Sequence, residues 1–198
     1  FIKPEIKLSS LAFYINEMNL RGVANSTYLY ALNNKKILKN KSFIFYNKKN
    51  FRNKNEVINK FKKKFKTVAV SDFSSIDKYK KKLRLDFLYT QKSGNIDNWQ
   101  SSKIKTLVHA VYPQKLNQVH GYNYAYISEW MSKKFSNNKI SSLPYIVDTN
   151  KTKKNLKKLL KIDNKKIVFG CHGGDSSFDL KFTHDVIKKI VDLRDDIF

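Results

Sequence analysis

The sequence predicts an α/β protein built on a doubly wound parallel sheet, with the opening of a second such unit after it. Three observations predict this. Short, near-continuous apolar runs alternate with amphipathic stretches, the pattern of parallel strands covered on both faces by helices. The strand-like runs give way to polar loops, and ligands of such sheets bind beyond the carboxyl ends of the strands. A polar, lysine-rich stretch, Thr149 to Lys154, then interrupts the alternation before it starts afresh.

The elements follow in order. Leu8 to Ile15 is strand-like and leads through a polar loop, Asn16 to Gly22, to a helix in which Ala24, Tyr28, Ala31 and Leu32 recur at helical spacing. Ser42 to Tyr46 is a second strand, and Val57, Phe61 and Phe65 mark the apolar stripe of a second helix. Thr67 to Val70 is a third strand. Ser74 and Asp77 have the spacing of a capping box before a short helix with Ile76, Tyr79 and Leu83. Leu85 to Thr90 and Lys105 to Val108 are further strands, with polar loops beginning at Gln91 and His109. Tyr124 to Ile127 is the next strand, and Ser128 caps a helix carrying Trp130, expected to be buried, and Phe135. Leu143 to Asp148 is expected to form a last strand leading into a connector.

This organisation places a Rossmann-like domain at residues 1–148, followed by a linker and the start of a second Rossmann-like domain at 149–198. In the second part Leu156, Leu159 and Leu160 mark a helix, Lys166 to Gly170 a strand, and Val186, Ile187, Ile190 and Val191 the inner face of a helix ending near Arg194. Ile197 and Phe198 read as the first residues of another strand, so the second domain is expected to continue beyond Phe198.

The formal net charge is +24, from 40 Lys+Arg against 16 Asp+Glu. That invites a polyanion reading, in which Lys60 to Lys66 and Lys78 to Lys82 engage nucleic acid or an anionic membrane. Only Arg21, Arg52, Arg84 and Arg194 are arginines, however, and arginine is the residue that reads phosphates and guanines in bidentate fashion. The balance favours solvated lysine faces over a nucleic-acid site and leaves room for peripheral association with anionic membrane. Cys171 is the lone cysteine, no run approaches the length of a spanning helix, and a cytoplasmic location is expected.

Neither G-x-G-x-x-G nor a P-loop is present, which removes most of the weight from NAD and ATP readings. No carboxylate pair, HExxH or Cys/His cluster points to a metal, and none is expected. Arg21-Gly22 opens the first long helix, whose unpaired N–H groups suit a phosphate, although one glycine fits a plain structural turn equally well. His109 after its strand and His120 in Val119-His120-Gly121-Tyr122 are candidates for acid/base or hydrogen-bonding roles.

Taken together, these residues resemble a GT-B glycosyltransferase, most similar to the family 4 type. The resemblance implies two Rossmann-like domains facing each other, an acceptor on the first and a nucleotide-sugar on the second, with Lys92, Ser93 and His120 as acceptor-side candidates. Arg21-Gly22-Val23 resembles that family's glycine loop near the donor phosphates, and His109 its histidine facing the transferred sugar. Tyr124 to Trp130 is similar to the strand and serine-capped helix late in the first domain. Leu143 to Asp148 resembles the interdomain Ile-Pro-Asn-Gly-Val-Asp segment without its Asn-Gly, and Val168-Phe169-Gly170 the strand opening the second domain. Cys171 stands where the family has an arginine on the diphosphate, His172 follows it, Gly170 precedes it, and Lys181 is near. The Glu-x7-Glu pair of the donor site is expected after Phe198. The resemblance implies a metal-independent, retaining hexosyltransferase that needs no cofactor beyond its nucleotide-sugar co-substrate and acts on a glycan, lipid or protein acceptor. The 198-residue piece alone is expected to be inactive.

Overall fold

Six strands form one all-parallel sheet: β1 (Ser10–Ile15), β2 (Lys41–Asn47), β3 (Lys66–Val70), β4 (Phe87–Lys92), β5 (Lys105–Ala110) and β6 (Asn123–Tyr126), in the order β3-β2-β1-β4-β5-β6. The computed structural model describes residues 8–113, 115, 120–147, 155–168 and 180–197. The chain divides into two compact units, Phe1–Asp148 and Thr149–Phe198. The first holds the whole sheet and, with helices on both faces, is an α/β unit consistent with a Rossmann-like fold.

Period-two alternation sends neighbouring residues of each strand to opposite faces. Phe13, Ile15, Ile44 and Tyr89 meet helices α1 (Gly22–Lys36) and α2 (Asn55–Lys62) through Ala24, Tyr30, Ala31, Val57, Ile58 and Phe61. Ala12, Tyr14, Phe45 and Leu88 point the other way, to Phe73, Ile76 and Leu85 around the 3-10 turn Ser74–Tyr79 and helix α3 (Lys80–Leu83). Helix α4 (Glu129–Ser136) seats Met131 against Ala110 and Tyr126 at the β6 edge. Burying each large apolar side chain contributes about 1.5–3 kcal/mol, so both faces are needed to offset the entropy of ordering.

Several details depart from the sequence expectation. Residues Gln91 and His109 belong to strands: β4 runs to Lys92 and β5 to Ala110, with Gln91 opposite His109 in the ladder. Buried polar side chains that satisfy one another extend a strand as readily as apolar ones do. Leu143 to Val147 makes no strand; a single bridge opposite Ser142 meets the sheet edge, with the Ser141 carbonyl accepting the Tyr126 N–H at 3.0 Å and the Leu143 N–H donating to the Tyr126 carbonyl at 2.7 Å. Ser74 makes no capping bond; Asp72 instead collects the Ser74 and Ser75 hydroxyls at 2.8 and 2.9 Å and the Ser75 N–H. Asp77 is drawn away by the Ser101 and Ser102 hydroxyls. Trp130 is 57% exposed rather than buried, because Met131 and Ser132 are the residues of α4 that face inward.

The second unit contains α5 (Leu156–Leu159) and α6 (Lys181–Leu193), with Ile167 bridged in parallel to Ile197. The expected strand over Lys166 to Gly170 is described only as far as Val168. The apolar face of α6, Val186, Ile187, Ile190 and Val191, is exposed among the described residues, not inward.

Candidate functional site

The strand order reverses direction between β1 and β4, so the loops leaving their carboxyl ends diverge and open a crevice. This crevice has a volume of ≈ 470 Å³. After β1 the chain turns through Asn16, Glu17, Met18 and Asn19, held by amide side chains. Asn53 Oδ1 accepts from the Met18 N–H at 2.8 Å, Asn47 donates to Asn16 Oδ1 at 3.1 Å, and Asn19 Oδ1 accepts from the Arg21 N–H at 3.0 Å. Glu17 is thereby set on the rim, where it pairs with Arg52 at 3.3 Å.

The other wall comes from β4. Lys92, with its side chain almost wholly buried, forms an ion pair with Asp97, whose Oδ1 also accepts the Trp99 N–H at 2.8 Å. That fixes Trp99 edge-on to Tyr14 at 5.1 Å and stacked on Phe73 at 6.2 Å. Burial, reinforced by Asp72, pushes the Tyr14 hydroxyl up to about 12, so it stays protonated. Gly94, at φ 107°, turns the loop between Lys92 and Asp97 in a conformation that L side chains rarely adopt. Helix α1 starts at the crevice with extended Arg21 as N-cap, no side-chain cap and no carboxylate in its first turn. A Cβ on Gly22 would meet nothing within 4 Å, so an anion has space to approach these N–H groups.

Beneath the crevice floor lies a buried polar chain. Gln91 Nε2 donates to Ser26 Oγ at 2.9 Å and to Tyr89 OH at 3.1 Å, and Tyr89 OH lies 2.7 Å from His109 Nδ1. Tyr145 and Tyr30 close the network from above, with Tyr145 OH donating to Gln91 Oε1 at 3.4 Å and Tyr30 OH to the Pro144 carbonyl at 2.6 Å.

Burial lowers the His109 pKa to about 4, with the Leu143 backbone acting in the opposite sense, and among the described residues Nε2 has no hydrogen bond of good geometry. Burial likewise raises Tyr89 well above its usual range and Tyr30 to about 12. At neutral pH the network is uncharged. It serves as a hydrogen-bonded strut, since a shielded imidazole of low pKa is a poor proton acceptor for a bound ligand.

Of the expected residues, Arg21, Lys92 and Ser93 line the crevice and Gly22 stands beside it. His109, 1% exposed, lies under the Leu143–Tyr145 segment and does not line the crevice; Gln91 reaches the wall in its place. His120, expected on the acceptor side, sits at the other end of the sheet, in a ≈ 370 Å³ hollow with Lys105 and Tyr122 at the amino ends of β5 and β6. Gly170, Cys171 and His172 lie outside the described residues. Sequence reasoning missed Glu17, Arg52, Asp97, Trp99 and Tyr112. The signal for Glu17 was its place just after the first strand, and for Asp97 and Trp99 their place just past the Gly94 turn.

Among the described residues no three His, Cys, Asp or Glu side chains converge as a metal site, and no helix is long and apolar enough to cross a membrane. No protein-family model, curated protein or solved structure matches the chain.

Proposed function

We propose that the chain is the acceptor-side part of a nucleotide-sugar-dependent glycosyltransferase of the GT-B, family 4-like kind that its sequence resembles. One observation carries the reading: the crevice at the β1/β4 reversal combines aromatic rings with carboxylates, amides and cations in a single wall. Saccharides need that combination. Their C–H faces stack on rings such as Trp99 and Tyr112, and their hydroxyls donate to carboxylates such as Glu17 and Asp97.

In this reading the open start of α1 with Arg21 supports the departing diphosphate, a preorganised stabilisation that requires no metal. Gly170 and His172 would add to the donor side. The sugar's anomeric carbon exchanges its bond to the phosphate oxygen for one to the acceptor hydroxyl oxygen, and the hydroxyl proton leaves with the diphosphate. In this reading His109 acts through Tyr89 and Gln91 as a positioning residue rather than in the catalytic role that the resemblance implies.

The test is ligand-observed NMR on the whole chain with mono- and oligosaccharides and with nucleoside-diphosphate sugars. Trp99→Ala should weaken saccharide binding about tenfold or more, in line with loss of an aromatic anchor, and Arg21→Ala should weaken nucleotide-sugar binding selectively. If neither ligand class produces a signal, or neither variant changes it, the reading fails.

A further inference from the structure

At the opposite end of the sheet from the crevice, the starts of β2 and β3 and the residues following α1 and α2 enclose a concavity of ≈ 400 Å³. Among the described residues its charged lining is lysine alone: Lys35, Lys39, Lys41, Lys64 and Lys66. No carboxylate occurs in residues 35–43 or 60–66 to neutralise them. Between Lys36 and Lys39, at the very end of α1, Ile37 and Leu38 are 69% and 58% exposed.

That protrusion is built rather than loose. Asn40 donates to Asn34 Oδ1 at 3.0 Å and accepts the Ser9 N–H at 2.9 Å, and Asn34 donates to Ser42 Oγ at 2.9 Å. Lys39 takes the left-handed conformation, φ 59°, that turns the chain back into β2. Two aliphatic side chains are thus held out in water beside a basin of positive charge.

We propose that this end of the molecule docks on an anionic lipid surface, with headgroup phosphates in the lysine concavity and Ile37 and Leu38 entering the interface. Charge complementarity and the aliphatic pair together select this partner. Nucleic acid would use the lysines but leave Ile37 and Leu38 with nothing apolar to meet, and the described lining holds no arginine, whose planar fork pairs best with phosphates. A lipid surface uses both features at once, because basic side chains attract its phosphates while apolar ones reach the acyl boundary. The concavity lies at the amino ends of the strands and the crevice at their carboxyl ends, so a docked molecule keeps the crevice open to solvent. The proposal does not depend on what the crevice binds.

Sedimentation of the whole chain with phosphatidylcholine vesicles, with and without phosphatidylserine, tests it. Binding is expected only to the vesicles containing phosphatidylserine, and it should fall steeply in about 0.5 M salt, where charges are screened within a few ångströms. Lys39→Gln, Lys41→Gln and Lys64→Gln combined should reduce partitioning about 100-fold, at roughly fivefold per lysine. Ile37→Ser with Leu38→Ser should reduce it about tenfold or more while leaving the circular dichroism spectrum unchanged. Leu38→Trp adds an independent readout, a blue-shifted emission on anionic vesicles. The proposal is overturned if the serine pair binds like the parent, if the tryptophan emission does not move, or if a single-stranded oligonucleotide binds at a salt concentration that releases the vesicles.

Discussion

Gly121 is chosen by what surrounds it: a Cβ there would stand 2.7 Å from Val108 Cγ2 and 3.2 Å from the Thr106 carbonyl. Gly121→Ala should therefore destabilise by about 1–3 kcal/mol, the usual cost of overpacking, read as a lower midpoint in urea. Thr90 presents the reverse case. It is fully buried in a central strand, and its hydroxyl has no hydrogen-bond partner among the described residues. Thr90→Val keeps the shape and removes the orphaned oxygen, so a gain of roughly 1 kcal/mol is expected. His109 links stability to pH. Its folded pKa of about 4 lies below the ordinary value of 6.5, so between those values the unfolded chain binds more protons and acid favours unfolding. The protein should lose about 2 kcal/mol between pH 7 and pH 5 from this residue, and His109→Gln should flatten that part of the urea-midpoint profile. None of these three properties was readable from residue type. A histidine near the end of an apolar run looks the same whether it faces a ligand or a tyrosine, and only the pairing of Gln91 with His109 across the ladder shows which applies.

At the scale of single elements, the strands were readable because apolar runs covered on both faces leave few alternatives, and their ends were not. Unbroken burial on both faces continues past the apolar run through Gln91 and Lys92 on β4 and through His109 and Ala110 on β5. Helix α1 shows the same limit. Its buried side includes Ser26, Thr27 and Asn34, so the apolar positions alone point to a slightly rotated face. Helix α4 was clearer, because Ser128 was identified as its cap and accepts the Met131 N–H at 3.3 Å. Ser128→Ala should cost about 0.5–2 kcal/mol and Ser128→Thr much less, measured by chemical denaturation. The crevice wall was the least readable element. Its side chains come from loops after different strands, and Asp97 and Trp99 are positioned by the buried ammonium of Lys92 together with the rings of Tyr14 and Phe73.

Across the whole molecule, order is distributed unevenly among the described residues. The first unit buries side chains on both faces of its sheet, whereas α6 of the second buries none. Amide hydrogen exchange should follow this contrast, with the amides of β1 and β4 protected longest and those of α6 exchanging far sooner. Equal protection would show that α6 is covered in solution. The strand order also bears on how the chain reaches this state. Since all pairings are parallel, no hairpin can start the sheet, and each ladder must wait for a crossover to close. Four of the five ladders join strands adjacent in sequence. The exception is β1 with β4, where Ser10 meets Asp86 across 76 residues. Contacts of such separation form late because the entropy of closing the loop must be met first. The crevice exists only where those two strands lie side by side. Refolding should therefore recover helical signal well before ligand binding, and the crevice would be among the last features of the first unit to form.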